Sequence, residues 1–348
     1  MEAKLFFCFV VVLHLFAVAP FCYAGRSRLP VKSIKSPDGD IIDCVHISRQ
    51  PAFNHPALKN HTIKWHSNGK CPKGTVPIIR TKKDDPLRAN SVKKSSFVAQ
   101  PSSVDYVHLG HELRPIDTFS SMQVPYTRGQ FYGAKATLNV WNPKVQEGDE
   151  FSLAQLWILG GSDSDMNTIE AGWQSTSYDH DGCYNHDCPG FMQTNNEIAL
   201  GGTISPTSQV DGSQYDITIL IWKDPKEGDW WMQLGDGEVI GYWPASVFTH
   251  LSESASMIYW GGEIINNNTH GHHTSTQMGS GHFPEEGFRK ASYVKNIQTV
   301  DETVTLRTPE DLTTYISGRS CYDVKKGIND DWGSYFFYGG PGRNHKCP

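Results

Sequence analysis

From about residue 130 onward, apolar side chains recur at every second position, and this alternation limits the fold more than any other feature. In "GAKATLNVWN", Ala134, Ala136, Leu138 and Val140 alternate with Lys135, Thr137 and Asn139, the pattern of a half-buried strand. "SQYDITILIW" sets Tyr215, Ile217, Ile219 and Ile221 on one face. "WWMQLGDGEVIGYW" reads as two strands around Gly235-Asp236-Gly237, a hairpin signal. "FSLAQLWILGG", "MIYWGGEII" and "ASYVKNIQTV" supply further strands, and only "PASVFTHLSESA" suggests a short helix, opening at Pro244. Many short strands with Gly-rich turns imply an all-β chain, an antiparallel β-sandwich or jelly roll. No internal repeat is visible.

The amino terminus has a different character. Lys4, the apolar run "LFFCFVVVLHLFAVAP" and the small-residue end "CYA" read as a signal peptide over residues 1–24. The run is too short and too early for a membrane span, so the expectation is a soluble protein, secreted or sorted to a vacuole, with no membrane contact once the signal is removed. Six cysteines then remain: Cys44, Cys71, Cys183, Cys188, Cys321 and Cys347. An even number in an oxidising compartment suggests disulfides, and six cysteines allow fifteen pairings. The close sets, Cys183 with Cys188 and Cys321 with Cys347, are favoured, leaving Cys44 with Cys71. A zinc site in "GCYNHDCPG" is the competing reading, but no second ligand pair has matching spacing. Asn60 and Asn267 head glycosylation acceptors.

Charge divides the chain. Residues 25–115 hold 16 Lys and Arg against 7 Asp and Glu, whereas residues 116–348 hold 14 against 29. A basic unit beside an acidic one suggests mutual attraction; nucleic-acid binding is disfavoured by the signal peptide and by the lack of interleaved aromatics. The stretch "RTKKDDPLRANSVKKSSFVAQPSS" reads as a flexible, protease-accessible linker. The expected layout is therefore a signal at 1–24, a small pro-domain with basic linker at 25–115, and a β-sandwich domain at 116–348.

Two carboxylates occupy unusual surroundings. Glu170 lies in "NTIEAGWQST" and Glu263 in "MIYWGGEIIN", each among Trp, Gly and apolar residues. A carboxylate there costs free energy unless it is paired, hydrogen-bonded or protonated. If both project from one face of one sheet, one pKa rises and the other falls, and the pair can hold a water between a base and an acid. Trp173, Gln174 and Gln277 are the expected groove contacts. His270, His272 and His273 in "THGHHTSTQ" suggest metal less well, because no acidic base stands at helical spacing.

Longer motifs carry a resemblance. "SPDGDIIDCVHISRQPAFNHPALKNH", "GAKATLNVWNPKV", "IEAGWQ", "GCYNHDCPGFMQTNNEIALG", "SQYDITILIWKDPKEGDWWMQLGDGEVIGYWPASVF", "HTSTQMGSGHFPEEGFRKASYVKNIQ" and the terminal "CYDVKKGINDDWGSYFFYGGPGRNHKCP" resemble the plant neprosin family throughout, in order. The resemblance implies a secreted zymogen: an activation domain that inhibits its own β-sandwich glutamic peptidase. It implies an acid-active endopeptidase without cofactor, acting on proline-containing peptides and cutting after proline. It assigns the catalytic pair to Glu170 and Glu263 and matches the family disulfides to Cys183–Cys188 and Cys321–Cys347. Activation cleavage is expected between about residues 80 and 130. Only "STSYDHD" separates Gln174 from Gly182, where family members carry a longer segment with an aromatic-rich strand. That departure supports the alternative expectation, a non-catalytic relative binding cell-wall glycan or a protein partner.

Overall fold

Alternation is expressed as antiparallel sheets almost throughout. The structure, a computed structural model, describes residues 29–35, 40–54, 71–80, 96–103 (as backbone), 120–147, 150–162, 165–176, 185–186, 189–266 and 272–348. Residues 1–24, read above as a signal peptide, and Cys183, Cys188, Asn60, Asn267 and His270 lie outside the described residues.

A small sheet comes first: β1 (Lys32–Lys35), β2 (Ile41–His46) and β3 (Thr75–Ile79), in the order β1-β2-β3. Asp43 on β2 ties its three strands, receiving a bidentate grip from Arg80 after β3 and a hydrogen bond from Ser33 on β1 (2.6 Å). Cys44–Cys71 closes the unit, and Cys321–Cys347 secures the carboxyl terminus; both pairings were expected.

Two larger sheets form a sandwich. The six-stranded sheet contains β4 (Ser96–Ser103), β5 (Ser120–Phe131), β7 (Phe151–Ser162), β8 (Asp165–Thr176), β13 (Ala255–Ile265) and β16 (Thr313–Ile316), ordered β16-β5-β13-β7-β8-β4. The nine-stranded sheet contains β6 (Gly133–Asn139), β9 (Met192–Gln193), β10 (Asp216–Lys223), β11 (Trp230–Leu234), β12 (Glu238–Trp243), β14 (Ser292–Val300), β15 (Leu306–Arg307), β17 (Asp323–Asn329) and β18 (Gly333–Gly339). Ala134, Ala136, Leu138, Ile219 and Ile221 from one sheet meet Ala154, Leu156, Ile158, Ile169, Trp173 and Trp260 from the other in a single buried core. Burying that apolar surface is the main stabilising term. The hairpin β11–β12 turns at Gly235, Asp236 and Gly237 as expected, with positive φ at both glycines.

Two expectations need correction. "PASVFTHLSESA" makes only a three-residue 3₁₀ turn, Ala245–Val247. The Asn167 side chain accepts from the backbone N–H of Thr249 and His250 (2.8 and 2.7 Å), so these groups bond to a neighbouring strand and not to a helix. Within the supposed linker, "SFVAQPSS" is β4, paired with β8 from Ser96↔Gln174 to Ser103↔Asn167. It lies at the sheet edge, the position that tolerates Pro101. The described contacts between the small unit and the sandwich include neutral groups. Gln50 and Gln193 exchange two hydrogen bonds (3.2 and 2.8 Å), Cys71 and Asn196 two more (3.1 and 3.0 Å), and Ala52 packs with Met192, Trp231 and Tyr242.

Candidate active site

In a strand, successive side chains point to opposite faces. On β8, Ile169, Ala171 and Trp173 enter the sandwich core, which turns Thr168, Glu170, Gly172 and Gln174 to the outer face. On β13, Ile258, Trp260 and Ile264 enter the core, which turns Tyr259, Gly261 and Glu263 outward. Glu170 and Glu263 therefore share one face of one sheet, separated by β7. That face carries its own apolar cluster, with Val124, Phe151, Leu153, Trp157 and Leu159. Both glutamates are buried, with 6% and 7% of their surface exposed. Thr168 donates a hydrogen bond to Glu170 Oε1 (2.9 Å).

Register sets their spacing. Glu170 stands level with Trp157 on β7, and Trp157 is level with Tyr259 on β13. Glu263 stands level with Leu153, which is level with Gln174 on β8. The glutamates are thus four residues apart along β7, about 13 Å, and two strand spacings apart across it, about 9.5 Å. Their Cα atoms lie on a diagonal of about 16 Å on that ideal geometry. Side chains leaning inward can flank a peptide bond and a water, but the two carboxyls are not abreast. Tyr259 is the β13 residue abreast of Glu170, its ring against Tyr126 in an edge contact at 5.2 Å.

The other expected groove residues divide. Gln174 is on the glutamate-bearing face, in the row of Glu263. Trp173 is not: it is fully buried in the core and its indole donates to Asn139 O (2.9 Å). Gln277 accepts from Lys144 N (2.9 Å) and ties two loops together. Sequence reading missed Gln155 and Trp157, both fully buried on the glutamate-bearing face; their parity within "FSLAQLWILGG", opposite to that of Ala154, Leu156 and Ile158, is the signal that finds them.

No metal centre emerges among the described residues. His273, Cys321 and Cys347 lie close together, but both cysteines are spent in a disulfide. His186, from the cysteine-rich motif, is hydrogen-bonded to Gln193 (2.5 Å).

Comparison with known proteins follows the same two-part layout. Residues 33–112 match the family profile described as Neprosin activation peptide, a range that includes β4. Residues 173–341 match the profile described as Neprosin, a range that includes Glu263 and begins just after Glu170. A solved structure of SCP-B, a member of the Eqolisin family of peptidases in a complex with the tripeptide Ala-Ile-His, aligns at 12% identity and a TM-score of 0.34, over 64% of this chain and 98% of that one; a likeness that slight has no bearing on the site. With both profiles matched in order, the chain belongs to the neprosin family and carries the family's activation peptide ahead of its neprosin domain.

Proposed function

We propose that the chain is the zymogen of an acid-active glutamic endopeptidase, secreted or vacuolar, that cuts proline-containing peptides after proline. The observation that supports it best is the placement of Glu170 and Glu263 on one buried face, diagonally across β7. One ionised carboxylate takes a proton from water as the water oxygen attacks the scissile carbonyl. The other carboxyl, protonated, gives its proton to the leaving nitrogen as the C–N bond breaks. Acid pH favours the state with one proton between the two. A diagonal spacing suits this division of labour, because a water and a peptide bond must fit between base and acid. The activation peptide is the intramolecular inhibitor: β4, inside its matched range, lies against the strand that carries Glu170.

The position abreast of Glu170 favours a second reading. It is Tyr259, whose phenol can donate a hydrogen bond but is a poor general base at acid pH. On this reading the domain is non-catalytic and binds cell-wall glycan or a protein partner.

Hydrolysis of a quenched proline-containing peptide at about pH 3 separates the two. The peptidase reading expects turnover by the acid-treated protein, reduced at least about 100-fold in both Glu170→Gln and Glu263→Gln. A correctly folded protein that cleaves no peptide supports the second reading.

A further inference from the structure

One polar side chain on the glutamate-bearing face has no role in the scheme above. Gln155 is fully buried, and neither its amide nitrogen nor its amide oxygen has a hydrogen-bond partner. Unpaired buried polar groups are strongly disfavoured, and an apolar side chain on β7 would avoid the cost. Trp157, two residues further along the same face, also has an unpaired indole N–H.

The surroundings of Gln155 are unusual. On either side, its register partners are Gly172 on β8 and Gly261 on β13. A Cβ at Gly172 would fall on the Ala154 carbonyl and within 2.7 Å of Gln155 Cα. A Cβ at Gly261 would fall on the Gln123 carbonyl, and that residue has a positive φ of 154°. Close strand approach therefore requires both glycines. In the row these three strands form, Gln155 is the sole side chain that they contribute. The rows bordering it are Glu170–Trp157–Tyr259 and Gln174–Leu153–Glu263. Gln155 is the diagonal neighbour of both glutamates, about 7–8 Å from each by sheet geometry, and so stands between them.

The geometry points to Gln155 as a substrate-contact residue that binds the scissile carbonyl of an extended peptide lying over the Gly172–Gln155–Gly261 row. This rests on the peptidase reading and names the group that reading lacks. As water attacks and the carbonyl π electrons move onto oxygen, the Gln155 amide N–H donates to the developing oxyanion. Its Oε1 accepts from a backbone N–H of the same peptide. Such a donor has most effect in a water-excluded site, where it is already in place before charge develops.

The test uses the full chain after acid treatment, as wild type, Gln155→Leu, Gln155→Asn and Glu170→Gln. Three quantities are compared: kcat and KM on a quenched proline-containing peptide, binding of the same peptide, and the thermal midpoint. Gln155→Leu is expected to melt at or above the wild-type temperature, since it removes two unpaired polar atoms at similar volume. Its kcat is expected to fall about 100-fold or more with KM nearly unchanged, and Gln155→Asn to recover part of that loss. A Gln155→Leu enzyme with kcat within about threefold of wild type overturns the inference. If wild type cleaves nothing, the peptidase reading fails and binding decides: affinity at least about tenfold weaker in Gln155→Leu still supports a ligand contact. Equal affinity, or no binding by wild type, overturns it.

Discussion

Glu170 and Tyr259 flank Trp157 in one cross-strand row of the six-stranded sheet, while Glu263 stands four residues away in the row of Gln174. The phenol and the second carboxyl are therefore rival partners for Glu170, and conservative substitutions distinguish them. Tyr259→Phe keeps the ring against Tyr126 and removes only the hydroxyl. It is expected to keep kcat within about threefold of wild type, against the loss of about 100-fold expected for Glu263→Gln. Steady-state kinetics on one peptide, with both variants side by side, checks this; the reverse order of effects transfers the partner role to Tyr259.

Docking of the small unit draws on neutral groups. Gln50→Ala removes both hydrogen bonds to Gln193 and leaves the buried Gln193 N–H unpaired. The expected cost is about 2 kcal/mol of docking free energy, seen as faster proteolytic processing of the precursor at fixed pH. Amides do not titrate between pH 3 and 7, so the effect should be the same at both ends of that range.

Asp43 predicts where acid weakens the small unit itself. The Arg80 guanidinium, hydrogen-bonded to Asp43, holds its carboxyl below the usual 3.8. A carboxyl with a depressed folded pKa adds stability above its unfolded value, and that stability is lost as pH falls through the folded one. Asp43→Asn should therefore lower the melting of the small unit modestly near pH 6, by about 0.5–1 kcal/mol for so exposed a pair. The gap between variant and wild type should shrink below about pH 3.8, followed by thermal melts across the pH range.

Gly172→Ala tests the contact between β7 and β8. The added methyl would meet the Ala154 carbonyl and Gln155 Cα, so the strands must separate at the point that positions Glu170. Destabilisation of about 3 kcal/mol is expected, at the upper end for overpacking. Denaturant unfolding measures it, and a loss under about 0.5 kcal/mol would show that the approach is looser than described.

Side-chain parity was legible in the sequence; pairing between distant strands was not. Ala134, Ala136 and Leu138 could be read inward because alternation is local, and the Gly235-Asp236-Gly237 turn declared its own hairpin. The same parity places Gln174, four residues after Glu170, on the same outer face, and sends Trp173 into the core, although a Trp next to a glycine invites a groove assignment. That Glu170 and Glu263 share a face follows from alternation on β8 and β13 once both are known to join one sheet. Their diagonal offset does not, because it depends on how each strand registers with β7. The β4 strand escaped for a related reason: "SFVAQPSS" has a weak pattern of its own, and what makes it a strand is the open edge of β8, about seventy residues further along the chain.

That edge pairing has a consequence for maturation. Scission of a polypeptide breaks one covalent bond and leaves interstrand hydrogen bonds intact. A cut on either side of Ser96–Ser103 frees an end of that segment while the ladder from Ser96↔Gln174 to Ser103↔Asn167 still holds it. Nicking and dissociation are thus separate events with separate rates. A nicked, still-assembled species should accumulate between precursor and stripped product, and an extended competitor peptide should hasten its disappearance.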